Sequence, residues 1–188
     1  LLERDLREFV EAARTGRPAG LSELPVRYRD AVAWQRRRLT QQVVTEQLGY
    51  WRAALDGVAP LALPGPQPRP PYRRIEGDIA LTAVSAEDAA ALLAVGQAAG
   101  VSAHTVFLTL WTVLLARAGG SWDFGVGTPH VGRERTELHD VVGLFINTVV
   151  IRARLTPDMP FRVALERVGQ VCRESFARHM VPFEQVLD

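Results

Sequence analysis

Four histidines, one cysteine and a polar pair inside an apolar run are the side chains with chemical potential in this sequence. A zinc protease would place two imidazoles on one helix face through H-E-x-x-H. His104, His130, His139 and His179 never fall at that spacing, so the spacing supports no zinc site. His139 and Asp140 could pair as acid and base, but neighbours in a chain usually point apart. His130 and His139 flank the polar stretch GRERTEL and read as exposed, whereas His104 opens an apolar helix and reads as a first-turn polar contact. Cys172 lies on an apolar helix face and reads as a core residue. A single cysteine excludes an internal disulfide framework and a thiolate metal cluster, and it fits a reducing, cytoplasmic setting.

Phosphate and acyl chemistry leave equally little. Gly125-Val-Gly127 follows a strand pattern, but His130 stands where a dinucleotide fingerprint needs its third glycine, and no helix opens on it. The sequence has no lysine, hence no P-loop, and it has no G-x-S-x-G elbow. Asp123 and Asp140 read as capping or turn residues.

The polar pair is Asn147-Thr148 within VVGLFINTVVIRARL, residues 141–155. In a strand, Phe145, Asn147, Val149 and Ile151 share one face, and Leu144, Ile146, Thr148, Val150 and Arg152 the other. A buried Asn must be hydrogen-bonded. Asn147 therefore either satisfies neighbouring backbone or faces a ligand. Gly143 is expected to relieve the backbone where loop becomes strand. Arg152 is expected to leave the strand's end and pair with a carboxylate.

The elements that must position these residues alternate between helix and strand. Leu2, Leu6, Phe9, Val10 and Ala13 make one face of an amphipathic helix that stops near Gly16. Residues 30–56 predict one long helix ending at Gly57. Tyr28, Asp30 and Trp34 sit at its start, with Asp30 as a capping residue. Residues 58–74 carry half of the prolines and predict an extended linker. A strand is expected over residues 75–84, then a helix capped by Ser85. A second helix, 102–118, is apolar nearly all round and predicts burial on most sides. Strands over 122–130 and 144–155 and a last long helix lined by Leu165, Val168 and Cys172 complete an α/β layer pattern. Pro182 suits a helix first turn, with Phe183 packing inward and Glu184 at the positive end.

Bulk properties exclude several function classes. Over 188 residues the formal charge is +1, with 47% hydrophobic and 23% charged residues, ordinary for a globular protein. No long-range field points to nucleic acid or an acidic membrane, and no apolar run is long enough for a membrane span. The first residues are charged and unlike a signal peptide. Both ends read as cut from something longer.

Three stretches in order carry a resemblance: Tyr28-Arg-Asp-Ala-Val-Ala-Trp34-Gln35, Val142-Gly-Leu-Phe-Ile-Asn147-Thr148-Val-Val-Ile-Arg152, and Val181-Pro-Phe-Glu-Gln-Val-Leu187. Together with DFGVGTPHVGR, residues 123–133, they resemble the later core motifs of the condensation domain of nonribosomal peptide synthetases. The resemblance spans essentially the whole chain. It departs at Ala31, where the first motif usually has an aromatic, and at Arg178-His179-Met180, where the third usually has His or Asn and then Gln-Asp.

The resemblance implies an α/β, chloramphenicol acetyltransferase-like fold of two lobes with a tunnel between them. It implies an acyl transferase that forms an amide from a donor thioester and an acceptor amine. No directly bound cofactor is implied; the substrates arrive on the phosphopantetheine arms of carrier proteins. Partners would be those carriers, adjacent synthetase domains and the preceding part of the domain, with neither nucleic acid nor membrane. The family's His-His-x-x-x-Asp-Gly motif is absent, so no catalytic residue is expected in this chain, and the chain alone is expected to be inactive. Residues 1–57 would then close the N-terminal lobe, 58–74 link, and 75–188 form most of the C-terminal lobe. Asn147, Phe145 and Thr148 become tunnel candidates, Thr148 the weaker. Tyr28, Asp30, Trp34, Gly143, Arg152, Pro182, Phe183 and Glu184 become structural residues. A non-catalytic module that recruits a partner protein, or a stand-alone acyltransferase of the same superfamily, remain the alternatives.

Overall fold

The computed structural model describes residues 1–65 and 78–187. In chain order the elements are α1 (Leu2–Thr15), α2 (Tyr28–Arg38), α3 (Gln41–Leu55), α4 (Ala86–Ala98), α5 (Ala103–Gly119), β1 (Asp123–His130), a 3-10 turn (Thr136–Leu138), β2 (Asn147–Arg154), α6 (Phe161–Phe176) and α7 (Phe183–Leu187). β1 and β2 pair in a two-stranded sheet. The Leu155 N–H donates to the Trp122 carbonyl at 2.8 Å, while Gly125 faces Val150. Rising numbers on one strand meet falling numbers on the other, so the pair is antiparallel.

The chain divides into two compact units, each discontinuous in sequence: 1–52, 129–149 and 178–188 in the first, 53–128 and 150–177 in the second. The first centres on Ala31, Leu138, Val141 and Phe145, with Val26 packed against them. In the second, α5 packs on α4 and α6, and Val106, Phe124, Ile151, Leu165, Val168 and Cys172 are buried. Burial raises the Cys172 thiol pKa, as suits an unreactive core thiol. His104 stands in the first turn of α5, its Nε2 3.3 Å from the Thr128 hydroxyl. Residues 58–65 of the proline-rich stretch lie inside the second unit; residues 66–74 fall outside the described residues.

Three expectations are corrected. The single helix over 30–56 is two, because Thr40 starts a new one. Its hydroxyl accepts the Val43 N–H at 3.3 Å and its carbonyl the Val44 N–H at 2.9 Å. Three arginines, Arg36 to Arg38, close α2 where the helix dipole favours cations. The strand expected over 75–84 is absent across the described part, 78–84. Ile79 and Leu81 are 80% and 91% exposed, and alternation alone cannot make a strand without a neighbour for its backbone groups. Third, α5 buries only one face, through Thr105, Val106, Leu108, Thr109, Thr112 and Ala116. Phe107, Trp111 and Leu114, on another face, stay exposed. Among the described residues no single helix is long and apolar enough to cross a membrane.

Candidate functional site

Within the first unit, residues from all three motif stretches line one cavity of about 530 Å³: Tyr28 and Trp34 from α2, Phe145 and Asn147 from the entry to β2, Pro182 and Glu184 from the start of α7. A larger cavity of about 1140 Å³, between α1 and residues 20–25, contains none of them.

Each wall has a local cause. Asp30 is the third residue of α2, and its carboxylate accepts the Arg27 N–H at 3.1 Å, satisfying an orphan donor of the helix start. This fixes the turn that presents Tyr28. The Tyr28 hydroxyl donates to the Leu144 carbonyl at 2.9 Å, and its ring meets Phe145 edge-on, centroids 5.3 Å apart. Gly143 explains why the ring fits: a Cβ there would fall inside it. Gly143 has no positive φ, so its expected role in relaxing the backbone is replaced by making room for Tyr28. Gly132 is the residue that needs the left-handed region, at φ 66°, and a Cβ there would strike the Phe145 carbonyl.

Arg133, which ends the 123–133 stretch, organises this wall. It donates to the carbonyls of Leu138 and Val141, the latter at 2.8 Å, and its guanidinium lies 4.4 Å from the Phe145 ring centroid. Trp34 is covered in the same way by Arg38, at 4.8 Å.

Asn147 uses its whole hydrogen-bonding capacity inside the unit. Its amide nitrogen donates to the carbonyls of His179 and Val181, at 2.6 and 2.8 Å. Its oxygen accepts the backbone N–H groups of Thr148 and Phe183, at 2.9 and 3.2 Å. An amide side chain offers two donors and two lone pairs, so none is left for a substrate amide. All four partners are backbone groups, and Asn147 also lines the cavity. Thr148 is not among the residues lining this cavity. Pro182 precedes α7, its carbonyl accepting the Gln185 N–H at 3.0 Å. Phe183 is partly buried, and Glu184 is exposed in the first turn.

A second amide gave no signal in the sequence. Gln47, buried on α3, accepts the N–H groups of Met180 and Val181 at 3.1 and 3.2 Å, and Trp51 Nε1 donates to the Arg178 carbonyl at 3.1 Å. Helix α3 and Asn147 thus fix the segment 178–183. Beside it, His130, Glu134 and His179 bring their ligand atoms within 4.8 Å of one another. The lack of an H-E-x-x-H pair speaks against a metal on one helix and does not reach this long-range cluster. Burial and the neighbouring His179 lower the His130 pKa, and Glu134 opposes them.

Arg152 belongs to the second unit and lines no part of this cavity. It forks onto Asp123 at 2.7 and 2.9 Å and donates to the Ala54 and Asp56 carbonyls at 3.0 and 2.6 Å. That is the carboxylate pairing expected at the strand's end, with backbone contacts added. The Arg152 guanidinium lowers the Asp123 pKa.

The mixed helix-and-sheet, α/β fold is of the chloramphenicol acetyltransferase-like class. The model of the condensation domain matches residues 1–188, and the chain belongs to the condensation domain family of nonribosomal peptide synthetases. It is 40% identical over its whole length to phosphinothricin tripeptide synthetase PhsC of Streptomyces viridochromogenes, of which it spans 17%. It is 37% identical to a linear gramicidin synthase of Brevibacillus parabrevis, of which it spans 4%. Among solved structures, the X-domain from teicoplanin biosynthesis superposes with a TM-score of 0.81 at 27% identity, over 97% of this chain and 42% of that one. SgcC5 of Streptomyces globisporus does so with 0.74 at 28% identity, over 98% and 41%.

Proposed function

We propose that this chain supplies a substrate-facing wall of a domain that joins a carrier-bound donor thioester to an acceptor amine. The amine attacks the thioester carbonyl, a C–N bond forms, the C–S bond breaks, and the amine's proton leaves with the thiolate as a thiol. No residue of this chain is assigned the proton transfer, and the chain alone is inactive. In this reading residues 1–57 close the N-terminal lobe and 75–188 build most of the C-terminal lobe.

The observation that carries this reading is the meeting of three motif stretches around the 530 Å³ cavity. Phosphopantetheine arms, which are substrate carriers here, combine apolar and amide groups, and the cavity is lined by aromatic and apolar side chains together with polar and charged ones such as Gln35, Arg38 and Glu134. Asn147 acts as a positioning residue, holding the 179–183 segment that lines the passage, and Phe145 supplies apolar wall. Thr148 would act only from outside this cavity. The test is Ile146→Trp in the complete domain. Ile146 lines the cavity and is 59% exposed, so bulk can be added without emptying the core. Product formation from loaded carrier proteins should fall at least tenfold with the melting temperature unchanged. Unchanged turnover would remove the cavity from the substrate path.

A second reading, a non-catalytic module that recruits a partner, draws on the likeness to the X-domain, which has been solved in complex with OxyB. Product formed by the intact domain would exclude it.

A further inference from the structure

We propose that His130, Glu134 and His179 form a binding site for a divalent transition-metal ion of the zinc class. The three come from the end of β1, the loop after it and the segment before α7, yet their ligand atoms lie within 4.8 Å of one another. His179 Nε2 is 3.2 Å from Glu134 Oε1. Ligand atoms on a tetrahedron about 2.0–2.1 Å from zinc stand roughly 3.4 Å apart, so this edge already has the needed length. The His130 and His179 rings stack with centroids 4.0 Å apart and planes 26° apart. An ion here requires the two rings to splay by side-chain torsion, so that the third nitrogen reaches the same spacing.

The chemistry agrees with the geometry. Two imidazoles and one carboxylate are the donor set of open zinc sites, in which the fourth position is left to water or substrate. Metal binding needs neutral imidazoles. Glu134 turns its other oxygen toward Arg38, 4.0 Å away. A metal on Oε1 leaves that contact in place. Glu134 and His179 line the 530 Å³ cavity, so the fourth position opens toward it. An ion here ties the end of β1 to the segment that Gln47 and Asn147 already hold.

The test uses the full-length protein with Co²⁺ as probe, because tetrahedral Co²⁺ absorbs strongly in the visible and octahedral Co²⁺ weakly. One equivalent of Co²⁺ should give the strong band, and Zn²⁺ should displace it. Loss of outer-shell partners alone costs metal sites roughly 10–100-fold in affinity, so His130→Gln and His179→Gln should each cost at least that. Glu134→Gln alters a side chain 46% exposed, reports even if a histidine variant fails to fold, and should weaken the band and abolish the rise in melting temperature caused by Zn²⁺. No strong band in the wild type, or a band and thermal shift unchanged in Glu134→Gln, overturns the site.

Discussion

Gln47 and Asn147 hold the same short segment. The Gln47 oxygen accepts the N–H groups of Met180 and Val181, and the Asn147 amide donates to the carbonyls of His179 and Val181. Removing either leaves backbone polar groups without partners where Val181 is 2% exposed. Each of Gln47→Ala and Asn147→Ala should cost about 1–3 kcal/mol in urea unfolding. Because they share one segment, the double variant should depart from the sum by roughly 0.5–3 kcal/mol. Strict additivity would mean that the two amides act independently.

Gly143 and Tyr28 make a steric pair. Gly143→Ala should destabilise by roughly 1–3 kcal/mol through overpacking, since the new methyl meets the Tyr28 ring. In a Tyr28→Ala background the same change should cost much less. An equal cost in both backgrounds would place the glycine's requirement in the backbone.

The Asp123–Arg152 pair carries a pH signature. The folded pKa of Asp123 lies below its ordinary value. Its contribution is therefore present above the unfolded value of about 3.9 and is lost as pH falls through the lower folded value. Thermal melts below about pH 4 should fall more steeply for the wild type than for Asp123→Asn. Glu8 should titrate at about 2 by NMR, held down by Arg17 and the Gly20 N–H, and should return toward the ordinary carboxylate range in Arg17→Ala.

Trp51 separates packing from hydrogen bonding. It is 3% exposed and donates to the Arg178 carbonyl. Trp51→Phe should cost about 1 kcal/mol for that bond, whereas Trp51→Ala should cost roughly 3–5 kcal/mol. Similar losses for the two would assign the residue's weight to the bond.

Periodicity and capping carried the element order well. Ser85 caps α4 as its sequence implied, its hydroxyl accepting the Asp88 N–H at 3.0 Å. The break at Thr40 was harder to read, because the apolar stripe continues through it and only the local cap reveals the new start. The strand over 78–84 failed for a different reason, since strand formation is decided by a neighbour and not by alternation. At the site, the motif stretches were visible as stretches, but their meeting was not. Gln47 and His179 act across long separations, which single-chain spacing does not record, and Arg133 acts on loop carbonyls five and eight residues on, which have no side-chain signature. Asn147 was visible as an anomaly; its four partners lie on backbone, which has no side-chain signature.

The chain passes between its two compact units at 52/53, 128/129, 149/150 and 177/178. During synthesis, α1, α2 and α3 emerge first, yet the segment that Gln47 and Trp51 fasten arrives more than a hundred residues later. Such long loop closures slow folding. The first unit therefore reaches its native contacts only after the second has left the ribosome, and its early helices wait with Gln47 and Trp51 unmatched. A truncation before Arg178 should remove the partners of both and leave the first unit open to proteolysis, while the second retains all of its residues.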